Sequence, residues 1–216
     1  MNVTPFQLYV SESIGSVSAE LIVPEQTKAI ITLAHGAGAG MNHLFMTAIA
    51  NELAHRNIST LRFNFPFTEQ KKKRPDFPAV AHKTIEVAIK KAQELFPNGR
   101  IFASGKSFGG RMSSQLLSLS QPDFIKGIVF FGFPLHPPGK LTIDRAYHLK
   151  DVKVPMLFLQ GTKDELAAWN LMEQVTKELS LATLYKVEGA NHAFKCGKQN
   201  LIPVLAKACE EWIDKN

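Results

Sequence analysis

Runs dominated by apolar residues recur along the chain and predict strands that are covered on both faces. Residues 29–34 (AIITLA) and 125–131 (IKGIVFF) are the clearest of these runs. Buried parallel strands have this composition because neither face meets water. Further strands are predicted over 58–63, 101–103, 156–159 and 181–187. Two short β-prone runs at 6–10 and 16–23, with Gly15 between them, predict an antiparallel hairpin at a sheet edge.

Between these strands, apolar residues lie three or four positions apart, which is the period of a helix with one buried face. Phe45, Ile49 and Leu53 predict a helix over 42–56. The other segments with this spacing are 85–95, 112–119, 168–179 and 201–212. Residues 64–77 and 132–153 are bounded or interrupted by prolines and are expected to be irregular.

The order of these segments predicts the fold class. Alternation of strands and helices builds a mostly parallel sheet with helices on both faces. We expect about eight strands, the first ones antiparallel, in a single α/β domain that spans residues 1–216. Ligands bind beyond the carboxyl ends of the strands in such sheets. Side chains that directly follow strands are therefore the candidates for function.

Composition and charge indicate the class of protein, its compartment and its possible partners. With 45% hydrophobic and 20% charged residues, the chain has the composition of an ordinary soluble globular protein. The N-terminus lacks a secretory-signal pattern, no apolar run is long enough to span a bilayer, and two cysteines make no disulfide framework, so we expect a cytoplasmic protein. The net charge of +6 includes a basic run at 71–74 (KKKR). No interleaved aromatics or nucleic-acid module accompany this run, which favours a solvated loop.

Residues 101–112 (IFASGKSFGGRM) contain the strongest motif. Gly105-Lys-Ser-Phe-Gly109 follows a strand and precedes a helical pattern, which is the context of the G-x-S-x-G nucleophile elbow. The sharp turn forces the backbone of Ser107 into a disfavoured region and needs small residues two positions before and after it. A phosphate-binding loop, G-x-x-x-x-G-K-[ST], shares the Gly-Lys-Ser but requires a glycine where the chain has Arg100.

A serine hydroxyl becomes a nucleophile when a base accepts its proton and an acid orients that base. In elbow-containing folds the order along the chain is Ser, acid, His. His192 lies in a turn after the last strand (GANH) and is the candidate base, and Asp164 follows the preceding strand (QGTKD) and is the candidate acid. Asp164 is also placed to cap the following helix, a role compatible with the first. Cys196 is a rival nucleophile without an elbow.

A tetrahedral intermediate also needs two backbone N–H groups that face its negatively charged oxygen. Phe108, the residue after the nucleophile, is predicted to supply one of them. The glycine-rich loop at 35–40 (HGAGAG) follows the third strand, and Ala37, with Gly36 next, is predicted to supply the other. This loop partly matches the dinucleotide pattern G-x-G-x-x-G. Position 41 is Met, however, and no acidic residue follows about 20 residues later at a strand end.

Taken together, these segments resemble the α/β-hydrolases in the neighbourhood of the dienelactone hydrolases. They are most similar to the small hydrolases of the testis-expressed protein 30 and NSL-complex subunit 3 types. The resemblance covers nearly the whole chain and rests on AHGAGAG (34–40), RFNFP (62–66), RPD (74–76), GKSFGGR (105–111), QG with Asp164, and GANH (189–192). It implies the α/β-hydrolase fold and a serine-hydrolase mechanism, and it supplies no substrate. Some relatives of this type act as subunits of complexes.

The predicted activity is hydrolysis of a small ester or thioester through an acyl-enzyme, without metal or cofactor. The connection at 132–153 is short, so no lid domain is expected. Gly36, Lys106 and Arg111 are predicted to contact the substrate. Lys106, Arg111 and the basic run at 71–74 favour an anionic acyl group. We expect no nucleic-acid or membrane partner, and a monomer or homodimer. A non-catalytic interaction module on a hydrolase scaffold is the main alternative, and a nucleic-acid binder with salt-dependent affinity is a third.

Overall fold

The computed structural model describes residues 1–216, and its strands form one eight-stranded sheet in the order β1-β2-β4-β3-β5-β6-β7-β8. The strands are β1 (Asn2–Ser11), β2 (Gly15–Val23), β3 (Ala29–Ala34), β4 (Ile58–Phe63), β5 (Ile101–Lys106), β6 (Ile125–Phe131), β7 (Met156–Gly161) and β8 (Ala182–Val187). The pairs β1–β2 and β2–β4 are antiparallel, and all the others are parallel. The predicted edge hairpin and mostly parallel sheet are confirmed.

The helices cover both faces of this sheet, as the sequence predicts. They are α1 (Leu44–Ala54), α2 (Pro66–Glu69), α3 (Pro78–Leu95), α4 (Phe108–Leu119), α5 (Trp169–Lys177) and α6 (Ile202–Ile213), with a 3₁₀ helix over Asp144–Asp151. Helices α1 and α6 share one hydrophobic core, and α3, α4 and α5 share the other. None of these helices combines the length and the apolar character that crossing a membrane requires.

The apolar runs form strands because alternate residues enter the two cores. In β6, Ile128 and Phe130 pack with α4, whereas Val129 and Phe131 pack with the α1 and α6 side. All six residues of β3 are buried. Central strands buried on both faces hold the strand ends in fixed positions, which is where the candidate residues lie.

Two segments expected to be irregular contain short helices. Helix α2 lies within 64–77, and the 3₁₀ helix lies within 132–153. Pro66 and Pro78 each stand at the first helical positions of α2 and α3, where a missing N–H costs nothing. The prolines therefore begin helices in this region, whereas the sequence analysis treated them as marks of a loop.

Candidate active site

The turn between β5 and α4 has the geometry of a nucleophile elbow. Ser107 has φ 51° and ψ −113°, a conformation that costs a non-glycine residue about 1–3 kcal/mol. A Cβ atom on Gly105 would lie 2.3 Å from the Gly110 nitrogen, and one on Gly109 would lie 2.4 Å from the Ala34 carbonyl oxygen. Only glycine fits at either position, so the strand and helix can approach closely enough to present the Ser107 side chain above the sheet.

The structure brings the three predicted site residues together through two hydrogen bonds. The Ser107 Oγ lies 2.8 Å from His192 Nε2, and His192 Nδ1 lies 2.8 Å from Asp164 Oδ2. The side chain of Asp164 is 1% exposed and that of His192 is 16% exposed. The buried carboxylate accepts a hydrogen bond from the Nδ1–H group, which keeps the proton on Nδ1 and leaves Nε2 free to accept the serine proton.

Gln160 fixes the carboxylate of Asp164 and was missed by the sequence analysis. Its Nε2 donates to Asp164 Oδ2 at 2.6 Å, and its Oε1 accepts the Phe133 N–H at 2.8 Å. The second carboxylate oxygen of Asp164 accepts the Leu166 N–H at 2.8 Å. The sequence did contain one sign of this role, because Gln160 is a polar residue at the end of the otherwise apolar strand β7. Asp164 does not cap α5, which begins at Trp169 after the N-cap Ala168.

Lys106 is half-buried beneath the His192 loop. Its Nζ donates to the His192 carbonyl oxygen at 2.7 Å and lies 5.9 Å and 5.3 Å from the ring centres of Phe45 and Phe194. Burial lowers the pKa of Lys106 from 10.5 to about 8, although the nearby charges of Asp164 and Glu165 favour the ammonium. This lysine ends β5 and holds the His192 segment, which does not fit the phosphate-loop alternative. It also lines the apolar cleft described below.

Gly132, which directly follows β6, makes room for this arrangement. Its φ is +71°, and a Cβ atom there would lie 3.2 Å from Lys106 Nζ and 3.6 Å from His192 Nδ1. A side chain at this position would be strained and would press on the hydrogen bond between His192 and Asp164. Nothing in the sequence pattern distinguished Gly132 from an ordinary turn glycine.

The glycine-rich loop after β3 lies against the elbow, since a Cβ atom on Gly36 would lie 3.7 Å from the Ser107 Cβ. The Ala37 N–H makes no hydrogen bond within the protein. The Phe108 N–H is the first of α4, and so it has no partner inside the helix. Both residues line a cleft together with Ser107. The arrangement offers two unpaired N–H donors beside the serine.

His35 supports this loop from below. Its Nδ1 donates to the Gly36 carbonyl oxygen at 2.7 Å, and its Nε2 accepts the Phe65 N–H at 3.0 Å. Burial lowers the pKa of His35 to about 4, so the ring is neutral at neutral pH. Asn64 adds a second support, because its Oδ1 accepts the Met41 N–H at 2.8 Å. The conformation of the loop is therefore set by buried side chains.

Ser107 lies where two clefts meet. One cleft, of about 410 Å³, is lined by apolar residues that include Phe45 and Met46. The other, of about 450 Å³, is lined by Arg111 and Arg145 among others. Ala37, Ser107 and Leu166 line both clefts. The site can therefore hold the two ends of an ester in different surroundings.

Some predicted site features lie elsewhere. The side chains of the basic run at 71–74 are exposed and do not line the cleft that contains Arg111 and Arg145. The next two residues, Pro75 and Asp76, do line that cleft. Cys196 lines neither of the two clefts at Ser107, and its Sγ lies 3.7 Å from the Glu188 carbonyl oxygen. Arg145 was missed, because it lies in the 3₁₀ helix of a segment without periodicity.

A mostly parallel sheet with an elbow serine after β5, a carboxylate after β7 and a histidine after β8 defines the class of α/β-hydrolases. The chain matches the family described as an alpha/beta hydrolase domain over residues 27–212. It belongs to that family, and the predicted α/β-hydrolase fold is confirmed.

Solved structures of similar fold cover nearly the whole chain. A dienelactone hydrolase from Anabaena variabilis is 17% identical with a TM-score of 0.79, over 99% of this chain and 97% of its own. An alpha-beta serine hydrolase homologue from Coxiella burnetii is 18% identical with a TM-score of 0.76, over 100% and 98%. A serine hydrolase described as being without a lid, from Xanthomonas campestris, is 19% identical with a TM-score of 0.74, over 98% and 95%. Here too, the connection from β6 to β7 contains only loops and one 3₁₀ helix.

Proposed function

We propose that the protein is a serine hydrolase that cleaves a small ester or thioester through an acyl-enzyme on Ser107. The observation that carries this proposal is the unbroken chain of hydrogen bonds from Ser107 through His192 to the buried Asp164. A serine that only stabilised the fold would need neither the strained backbone nor a cleft on each side. The serine-hydrolase descriptions of two structural neighbours support the same class of reaction.

The proposed reaction begins when Ser107 Oγ attacks the substrate carbonyl carbon and its proton moves to His192 Nε2. Asp164 stabilises the imidazolium that forms. The carbonyl oxygen becomes negatively charged and accepts hydrogen bonds from the N–H groups of Ala37 and Phe108. The intermediate then collapses, and the leaving alcohol or thiol takes the proton from His192.

A water molecule completes the proposed cycle. His192 accepts a proton from the water, whose oxygen attacks the acyl carbon. A second tetrahedral intermediate forms, and its collapse releases the acid and returns the proton to Ser107 Oγ. Because the nucleophile and the base are both supplied by side chains, this cycle uses no cofactor.

The test compares Ser107→Ala with Ser118→Ala, a control on the helix that follows Ser107, whose hydroxyl bonds only the Gln115 carbonyl oxygen. With p-nitrophenyl butyrate as substrate, we expect Ser107→Ala to lower kcat/KM by at least about a thousandfold. The Ser118→Ala variant should retain wild-type activity, and both should unfold as the wild type does. Equal turnover by Ser107→Ala and wild type would contradict the proposal.

A fluorophosphonate probe separates this proposal from its alternative, an interaction module without catalysis. Such a probe reacts with a serine only where a base activates it. We expect labelling of Ser107 in the wild type and none in His192→Ala. A folded wild-type protein that is not labelled and turns over no ester would favour the interaction module.

We also propose that the chain belongs to the testis-expressed protein 30 and NSL-complex subunit 3 type of small hydrolases. Two motifs typical of that type have defined contacts at the site. Lys106 of GKSFGGR donates to the His192 carbonyl oxygen. Asn64 of RFNFP accepts the N–H of Met41, which directly follows the glycine-rich loop at 35–40. Arg62 of the same motif forms a buried ion pair with Glu20 and donates to the Met41 carbonyl oxygen at 3.0 Å.

A further inference from the structure

The two clefts that meet at Ser107 differ in chemistry. Phe45, Met46 and Ala39 line the first cleft. Arg111 and Arg145 line the second cleft, where proline and leucine side chains form much of the remaining wall. A substrate that spans Ser107 therefore meets a mainly apolar surface on one side, with Lys106 among its lining residues, and two guanidinium side chains on the other.

These two arginines have no acidic partner in the protein. No carboxylate lies within 4.0 Å of either side chain. Arg145 makes one long contact, 3.5 Å from Nη1 to the Pro134 carbonyl oxygen, and the guanidinium of Arg111 donates no hydrogen bond. Fully buried arginines are normally paired. Arg111 and Arg145 are half-buried, and both line the cleft beside Ser107 without a partner. Two unpaired ones in the same cleft call for a ligand.

The charges that line this cleft also favour a negatively charged ligand. Burial and the charge of Arg145 lower the pKa of Arg111, and burial lowers the pKa of Arg145. The one carboxylate that lines this cleft is Asp76, which is already engaged. Its Oδ2 accepts the Phe67 N–H at 2.7 Å, and its Oδ1 lies 3.9 Å from Lys72 Nζ. An incoming anion would relieve the repulsion between the two arginines.

We propose that Arg111 and Arg145 bind an anionic group, a carboxylate or a phosphate, on the ester that is hydrolysed at Ser107. The inference rests on the proposed function and adds the class of its substrate. A planar guanidinium binds a carboxylate or phosphate through two parallel hydrogen bonds, and two guanidinium groups can satisfy all the oxygens of such a group. The uncharged end of the substrate then lies in the apolar cleft against Phe45 and Met46.

The test uses pairs of esters that differ in one charge. On the acyl side, p-nitrophenyl hemisuccinate is compared with p-nitrophenyl butyrate. On the alcohol side, the butyrate esters of 4-hydroxybenzoate and of 4-hydroxyphenyl phosphate are compared with phenyl butyrate. The quantity measured is the ratio of kcat/KM for the charged ester to kcat/KM for its neutral partner. We expect this ratio to exceed one in the wild type for one side of the ester.

Substitution of the arginines should then lower this ratio. We expect Arg145→Met and Arg111→Met each to lower it about tenfold to a hundredfold, because each removes hydrogen bonds to a charged group. Arg145→Lys keeps the charge without the paired donors and should lie between wild type and Arg145→Met. Lys73→Met is the matched control, since it removes an exposed charge of the neighbouring basic run and should leave the ratio unchanged.

A binding measurement decides the inference without catalysis. Benzoate and phenylphosphonate, with benzyl alcohol as the neutral control, are titrated into Ser107→Ala while the unfolding temperature is recorded. We expect one of the two anions to stabilise Ser107→Ala, and neither to stabilise Ser107→Ala combined with Arg145→Met. Which anion acts identifies carboxylate or phosphate as the ligand.

The outcomes separate this inference from the proposed function. If Ser107-dependent ester cleavage is present and the ratios are the same in wild type, Arg111→Met and Arg145→Met, the anion site is refuted and the hydrolase proposal stands. Equal loss of the ratio in Lys73→Met would also refute it, because the effect would then be a general one of positive charge. If no ester is cleaved but an anion binds only where both arginines are present, the hydrolase proposal fails and the anion site stands.

Discussion

Replacing Lys106 by methionine should make the fold no less stable while lowering activity. The folded protein lowers the pKa of this lysine from 10.5 to about 8, a difference of 2.5. At 1.36 kcal/mol for each pKa unit, holding the ammonium in its buried position at pH 7 costs about 3 kcal/mol. Lys106→Met removes that cost. It also leaves the partly buried His192 carbonyl oxygen without its donor, which costs about 1–3 kcal/mol at most.

The free energy gained by removing the desolvated ammonium is therefore equal to, or larger than, the free energy lost with its hydrogen bond. We therefore expect the free energy of unfolding of Lys106→Met at pH 7 to match that of the wild type or to exceed it by up to about 2 kcal/mol. A methionine side chain can pack flexibly against Phe45 and Phe194. Activity should move in the opposite direction, because the segment that holds His192 loses its link to β5. A displacement of about 1 Å in a reacting group can cost about a hundredfold in rate.

The pH dependence of folding stability tests whether the ammonium of Lys106 destabilises the fold. Between pH 8 and 10.5 the unfolded chain binds more protons at Lys106 than the folded protein does. The stability of the wild type relative to Lys106→Met should therefore rise with pH in that window. Urea unfolding at pH 7 and pH 10 measures this, and kcat/KM for p-nitrophenyl butyrate measures the loss of activity. Lys126→Met, an exposed change on β6, should alter neither quantity.

Two results would refute this reasoning. One is a Lys106→Met variant that is clearly less stable than the wild type at pH 7, which would mean that the contacts of the ammonium outweigh its desolvation. The other is unchanged kcat/KM, which would mean that His192 is positioned without the help of Lys106.

Three further predictions concern the surroundings of the site. Gln160→Leu should lower kcat/KM and cost about 1–3 kcal/mol of unfolding free energy, because the buried Asp164 loses a donor; an unchanged urea midpoint and unchanged kcat/KM would count against this. Because the pKa of His35 is lowered from 6.5 to about 4, this residue alone should lower the folding stability by about 3 kcal/mol as the pH drops from 7 to 4, and the fall in His35→Gln should be smaller by about that amount. Gly109→Ala should lower the unfolding temperature by several degrees, since its Cβ would overlap the backbone of β3, whereas Gly38→Ala, with open space around it, should not.

The elements of the fold could be predicted because apolar patterning reports on local burial. The run at 29–34 is a strand buried on both faces, and the alternation of strands and helices permits few topologies. Ser107, Asp164 and His192 could be assigned because each follows a strand, and parallel strands end at the same edge. Their order along the chain was enough to assign each of them a role.

The supporting contacts could not be predicted, because they join residues that are distant in sequence and have no pattern of their own. Lys106 and His192 are 86 positions apart, and only the packing of β5 beneath the last loop brings them together. Arg145 lies in a segment whose sequence predicts no regular element. Gly132 is required because a side chain there would press on Lys106 and His192, which are distant in sequence. The sequence therefore predicted the candidate nucleophile, base and acid, but not the residues that hold them in place.

The position of β8 has a consequence for how the protein would lose activity. Ser107 stands at the end of a central strand, whereas His192 follows β8, which is at the edge of the sheet and only partly buried. Edge segments open at a lower cost in free energy than the whole fold, and hydrogen exchange reports such opening. Amides of β8 should therefore exchange before those of β5. On warming, inactivation should precede unfolding, because detachment of one edge is enough to separate His192 from Ser107.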